Sequence, residues 1–235
     1  MFEKLKYKLK GWIIDGNVFR GPSRNGSTYI LPENITEIGT SAFYCKSWVT
    51  RVELTDTVTK INKTAFAGSS IRNFRFPAKL KSIGEGGFRG CDGFTSIELP
   101  NTLVELGTGA FAGCKNLKEA KLPSSIKVVS EQLFYKCGNL TNVTIPEGID
   151  SIKFSAFAEC KSLKKITLPK SLTLIQVEAF ENCTSLEEVE IQSDNCVISL
   201  RAFANCTSLK KIVLPKATDF VGDPFENCPA EILYR

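Results

Sequence analysis

One phenylalanine returns along the chain at almost constant spacing. It stands at Phe43, Phe66, Phe88, Phe111, Phe134, Phe157, Phe180, Phe203 and Phe225, in steps of 23, 22, 23, 23, 23, 23, 23 and 22 residues. The surrounding phrase is clearest between Ser155 and Pro169, where Ala156, Phe157, Cys160, Leu163, Ile166 and Leu168 hold fixed offsets. A period of roughly 20 to 30 residues means one small unit stacked many times. Such a unit cannot close a core alone and buries its apolar side against the units on either side. The chain's 235 residues would suffice for one or two globular domains. The unbroken period predicts a single elongated solenoid instead.

From Pro32 onward each unit has three parts. In the first, as in Leu163–Pro169, apolar and polar residues alternate, which predicts a short strand; successive units align these into a parallel sheet. Proline closes it at Pro32, Pro77, Pro100, Pro123, Pro146, Pro169 and Pro215, since a residue without N–H belongs at a strand end. The second part carries two apolar anchors three apart, such as Leu103 and Leu106 or Leu172 and Ile175. This predicts a shorter extended segment on the opposite side. The third, Ala-Phe-x-x-Cys, predicts a tight turn or single helical turn that stacks phenylalanine on phenylalanine.

Residues 1–31 lack the full phrase. Trp12-Ile13-Ile14, the Asp15-Gly16-Asn17 turn and Val18-Phe19 predict a hairpin, followed by a loop, that caps the first coil. The alternative is a basic amphipathic helix on a membrane surface, with Phe2, Leu5, Leu9 and Trp12 on one face. The solenoid is expected over 32–228. Residues 229–235 form a C-terminal end or truncated cap, and the last coil, from Phe225 to Arg235, is expected to lack a full strand and expose an edge.

Composition excludes several functions. There is no histidine, which removes Ser-His and Cys-His nucleophile pairs and His metal sites. The carboxylates are scattered over many coils, so neither an enzyme nor a cofactor is expected. Of the net charge of +5, residues 1–30 carry +4, six Lys and Arg against two acids, leaving about +1 for the body. A nucleic-acid binder would carry a basic stripe, so no nucleic acid is expected. No apolar run reaches the roughly 18 residues of a membrane span. The chain reads as soluble: cytoplasmic if complete, at the cell surface or secreted if it is part of a longer parent.

The nine cysteines suggest a disulfide framework until they are placed on the repeat. Cys91, Cys114, Cys137, Cys160, Cys183, Cys206 and Cys228 each lie three residues after a ladder phenylalanine, with Ser69 in the same slot of an earlier unit. Strand spacing would allow a bridge between adjacent coils, but a column of seven cannot pair completely. The expectation is a buried column of reduced thiols serving as small hydrophobes, which favours a reducing compartment. Cys45 and Cys196 fall off the column and are expected to be exposed.

The pattern L-x-x-I-x-L-P…I-G-x-x-A-F-x-x-C resembles the BspA-type, or Treponema pallidum-type, leucine-rich repeat. Its usual lead-in is similar to Ile14-Asp15-Gly16-Asn17 and Tyr29–Gly39 here. The resemblance covers about residues 28–228. It implies a right-handed, curved, β-rich α/β solenoid of about nine coils of 22–23 residues, with a parallel sheet on the concave face. It also implies no catalytic residues, and a role in binding proteins. Members are mostly cell-surface proteins of bacteria and some protists, implicated in adhesion to host proteins and other cells.

A partner would meet the first strands. Arg51, Asn73, Ser96, Glu119, Asn142, Lys165, Glu188 and Lys211 precede the middle apolar anchor of each, and Glu53, Arg75, Glu98, Lys121, Thr144, Thr167, Glu190 and Val213 follow it. Opposite charges on adjacent strands pair, so these rows are either self-satisfied ladders or a surface that reads a mixed-charge protein. Asn142, Thr144 and Thr167 form an uncharged centre. Trp48 has two readings: counted from Phe43 it falls in an exposed slot, and counted from Cys45 in the buried Leu slot, which is preferred. The expected function is a non-enzymatic protein–protein interaction module, acting as a monomer or by end-to-end association; the alternative is an adhesin segment that binds host or cell-surface proteins.

Overall fold

The computed structural model describes residues 12–22 and 26–235. These form a β-solenoid whose coils pass through a front strand, a back strand and a turn, with one front strand missing, and none of the described residues is helical. The third part of each unit is therefore a turn. Front strands begin at Thr28–Ile30 and end at Glu231–Tyr234; back strands run from Glu37–Ile38 to Asp219–Val221. Neighbouring coils pair in parallel with equivalent residues side by side, as Glu119, Ala120 and Lys121 sit against Asn142, Val143 and Thr144. The front alternation works as expected: Ile166 and Leu168 are buried while Lys165 is exposed. The hairpin of Trp12–Asp15 and Val18–Pro22 is antiparallel, and its second strand pairs with Glu37–Ile38.

The phenylalanine rings form the axis. From Phe43 to Phe203 each is fully buried, and successive rings stack at centroid distances such as 5.0 Å for Phe43–Phe66 and 5.1 Å for Phe180–Phe203. Near-parallel rings at this separation gain stacking beyond their area burial. Phe19, from the hairpin, stacks on Phe43 at 5.1 Å and adds a member that the 22–23-residue spacing did not reveal.

The turn around each ring from Phe43 to Phe203 has two residues in the left-handed region, one two before and one two after the phenylalanine. Around Phe111 they are Gly109 (φ 60°) and Gly113 (φ 69°); around Phe157 they are Ser155 (φ 51°) and Glu159 (φ 60°). Alternating handedness points every second N–H along the axis. Ser155, Phe157 and Glu159 thus donate to Val177, Ala179 and Glu181 of the next coil at 3.2, 2.8 and 2.8 Å. This turn ladder runs through every coil from Ser41 onward.

The strand ladders are less complete. The front divides into sheets of two, three and four strands, and the expected strand at Asn73–Arg75 does not form. That coil is one residue short between Ser69 and Ile71, Asn73 has φ 50°, and Phe74 and Phe76 replace aliphatic anchors. Their rings pack against Phe66 and Phe88 at 5.4 Å. The last coil also differs from expectation. Glu231–Tyr234 is a full strand paired with Lys211–Leu214 over four residues, because the chain skips directly from Cys228 into it. Two further expectations are corrected. Cys196 is fully buried: a bend at Ser193–Asn195, closed by Ser193 Oγ donating to Asn195 O at 2.7 Å, turns it inward. Trp48 is 43% exposed while Val49 fills the core slot, so the register counted from Phe43 is the one adopted. Cys45 is exposed.

Candidate functional site

The front face carries the two predicted rows. Arg51, Asn73, Ser96, Glu119, Asn142, Lys165, Glu188 and Lys211 are all exposed; Arg75, Glu98, Lys121, Thr144 and Glu190 are exposed, and Glu53, Thr167 and Val213 are half-buried. Strand pairing holds each row in register, because every residue beside a buried anchor points outward. Thr28 and Ile30 extend the rows by one coil, with Ile30 61% exposed. The sequence reading began one strand later because this strand precedes the first full phrase.

Only part of the rows is self-satisfied. Lys121 bonds Glu98 at 2.7 Å, Lys165 bonds Glu188 at 2.9 Å, and Thr167 donates to Glu190 at 3.3 Å. Glu188 beside Lys165 raises the lysine's pKa, as expected of an opposite charge. Where the front strand fails, the expected ladder fails with it. Arg51 pairs with Glu53 of its own strand, and Arg75 turns away to Asp56 at 3.0 Å. That guanidinium, aided by the Ala78 N–H, holds the Asp56 carboxyl below its ordinary value. Among the described residues, Asn73, Ser96, Glu119, Asn142, Thr144 and Lys211 have no side-chain partner. Exposed pairs of this kind contribute roughly 0–1 kcal/mol each, so the rows remain available to a partner.

Trp48 stands in the turn leading into Arg51–Glu53, with Lys46 Nζ 5.5 Å from its ring centroid. The thiols offer no reactive column. All nine are free, and seven are buried. Burial pushes Cys91, Cys137, Cys183 and Cys196 up to about 12. Among the described residues no group of three or more His, Cys, Asp or Glu is placed to hold a metal ion. Among the described residues no helix is long and apolar enough to cross a membrane.

A family model described as a BspA type leucine rich repeat region matches residues 13–141 and 127–233, with six copies of the repeat. The fold is shared with solved structures. A Treponema pallidum leucine-rich repeat protein is 24% identical over 82% of each chain, with a TM-score of 0.63. A leucine-rich repeat protein of Bacteroides ovatus is 20% identical over 97% of this chain and 91% of its own, with a TM-score of 0.54. Another, from Eubacterium ventriosum, is 20% identical over 94% of this chain, with a TM-score of 0.56; the present chain spans 50% of its length. No curated protein matches the chain.

Proposed function

Because the chain belongs to the BspA-type leucine-rich repeat family, we propose that it is a non-enzymatic interaction module that holds a protein partner on its front sheet. The observation that carries this reading is the pair of in-register rows, exposed and only partly paired with each other. Extended faces of this kind are what solenoids offer to partners. Around Asn142 and Thr144 no charge must be stripped of water, so contact there costs least. Arg51, Glu53, Asn73, Arg75, Ser96, Glu98, Glu119, Lys121, Asn142, Thr144, Lys165, Thr167, Glu188, Glu190 and Lys211 are the contact residues in this reading, with Trp48 at the rim.

Photo-crosslinking in the native host tests it. A benzophenone residue at position 142 should form protein adducts. The same residue at position 104, where Val104 is 63% exposed outside the front strands, should form none. Adducts from 104 alone would overturn the front-face reading.

A further inference from the structure

The first of the two breaks in the front ladder, at Asn73–Arg75, leaves the sheet open. Among the described residues, strand Arg51–Glu53 pairs only with Thr28–Ile30, and Ser96–Glu98 only with Glu119–Lys121. The Arg72 N–H donates to Thr50 O at 2.9 Å. Beyond it, among the described residues, the N–H groups of Phe74, Arg75 and Phe76 reach no backbone carbonyl. The interrupted segment is flanked by two grooves, of 750 Å³ on the Arg51 side and 540 Å³ on the Ser96 side.

The first groove has a marked charge. Arg51, Arg72 and Arg75 line it with Glu53 as the single acid, three positive charges against one negative. Arg51 contacts Glu53 and Arg75 is held by Asp56. Arg72 is exposed and has no carboxylate partner among the described residues. Guanidinium groups bind carboxylates through two parallel hydrogen bonds, which a lysine cannot imitate.

We propose that this groove receives an extended acidic segment of the protein partner, with its carboxylates on Arg72 and Arg51 and a main-chain carbonyl on the open N–H of Arg75. The assignment rests on the front-face reading above and names the chemistry of what binds there. An open backbone donor beside the unpaired edge of Arg51–Glu53 favours a peptide, since strand addition supplies main-chain hydrogen bonds while side chains give specificity. A bare anion would use the guanidinium groups alone. A long polyanion would run into Glu53, Asp56 and Glu98, and the near-neutral body would add no attraction.

The test uses the full chain and a fluorescein-labelled, capped octapeptide of alternating Thr and Glu, followed by anisotropy. The Glu peptide should bind about tenfold more tightly than its Gln counterpart, and Arg72→Gln should weaken it about tenfold, the scale of one charge-assisted bond. Lys216→Gln, an exposed lysine outside both rows of the front face, should leave it unchanged. Arg72 is exposed and unpaired, so folding of its variant is checked by circular dichroism and expected to be intact. Equal binding of the two peptides, an unaffected Arg72→Gln variant, or no binding at millimolar peptide would overturn the assignment. So would competition by inorganic phosphate as strong as by the peptide itself. If crosslinking at position 142 succeeds while the peptide ignores Arg72, the front face stands and the groove assignment falls.

Discussion

Six thiols of the cysteine column donate to the carbonyl of the phenylalanine one coil earlier, from Cys91 to Phe66 at 3.1 Å through Cys206 to Phe180 at 3.2 Å. The slot thus favours a small side chain with one weak donor; Ser69 also fits it, with its hydroxyl 3.6 Å from Cys91 Sγ. Burial has a pH consequence whose sign is definite. In the folded chain Cys91, Cys137, Cys183 and Cys196 ionise only near 12, against an ordinary 9.0. Between those values the unfolded chain has released protons that the folded chain keeps, so stability falls as pH rises. The urea midpoint should hold up to about pH 8.5 and decline above about 9. A Cys183→Ala variant should lose less over that range; an identical slope would contradict the assignment. In a native thiol count Cys45 should react at once, Cys228 slowly, and the seven buried thiols only on unfolding.

At the scale of the element, the turn and the back strand were readable in outline because they depend on residues within one coil. Ile-Gly after the second anchor has a steric cause. A Cβ on Gly107 would lie 2.4 Å from Glu85 N, and one on Gly84 2.7 Å from Lys63 N, both on the preceding coil. Gly138, by contrast, has nothing within 4 Å. Gly107→Ala should therefore cost about 1–3 kcal/mol by overpacking, while Gly138→Ala should stay within about 0.5 kcal/mol. Chemical denaturation of the two variants checks the contrast, and equal costs would remove the close-approach argument. What local reading missed are the irregular elements. Cys196 and the absent strand at Asn73 occur where one coil is shifted or shortened by a residue, and a period averaged over many coils assigns such residues to the wrong slot. Trp48 is misplaced by counting from Cys45, which itself lies off the column.

For the whole molecule, the ladders are not interrupted at one level. The turn ladder and the phenylalanine column carry through the front gap at Asn73, and the back ladder is intact there. The back ladder instead breaks between Glu105–Leu106 and Val128–Val129, beside the widest phenylalanine spacing, 6.2 Å between Phe111 and Phe134. Ser125 and Ser130 hydroxyls donate to Leu103 and Leu106 carbonyls there. In a solenoid each coil is stabilised mainly by its neighbours, so this junction is one of the weaker steps in the array. Lys127 and Ser130 amides, with no backbone acceptor among the described residues, should exchange hydrogen faster than Asp150 and Lys153 one coil on, which donate at 2.8 and 2.9 Å. Equal protection would show that the hydroxyls replace the missing bonds fully.

Sequence by itself determined the repeat, the stacked rings, the thiol column and the two outward rows. Each of these follows from a pattern that recurs within one coil, and stacking identical coils multiplies a local preference without changing it. Tertiary structure decided which coils actually pair along each face, where the hairpin's Phe19 enters the column, and which charges remain open. Those outcomes depend on the mismatch between two adjacent coils, a residue lost between Ser69 and Ile71 or a pair of larger rings at Phe74 and Phe76. Such a mismatch acquires an energy only when the coils are packed against each other.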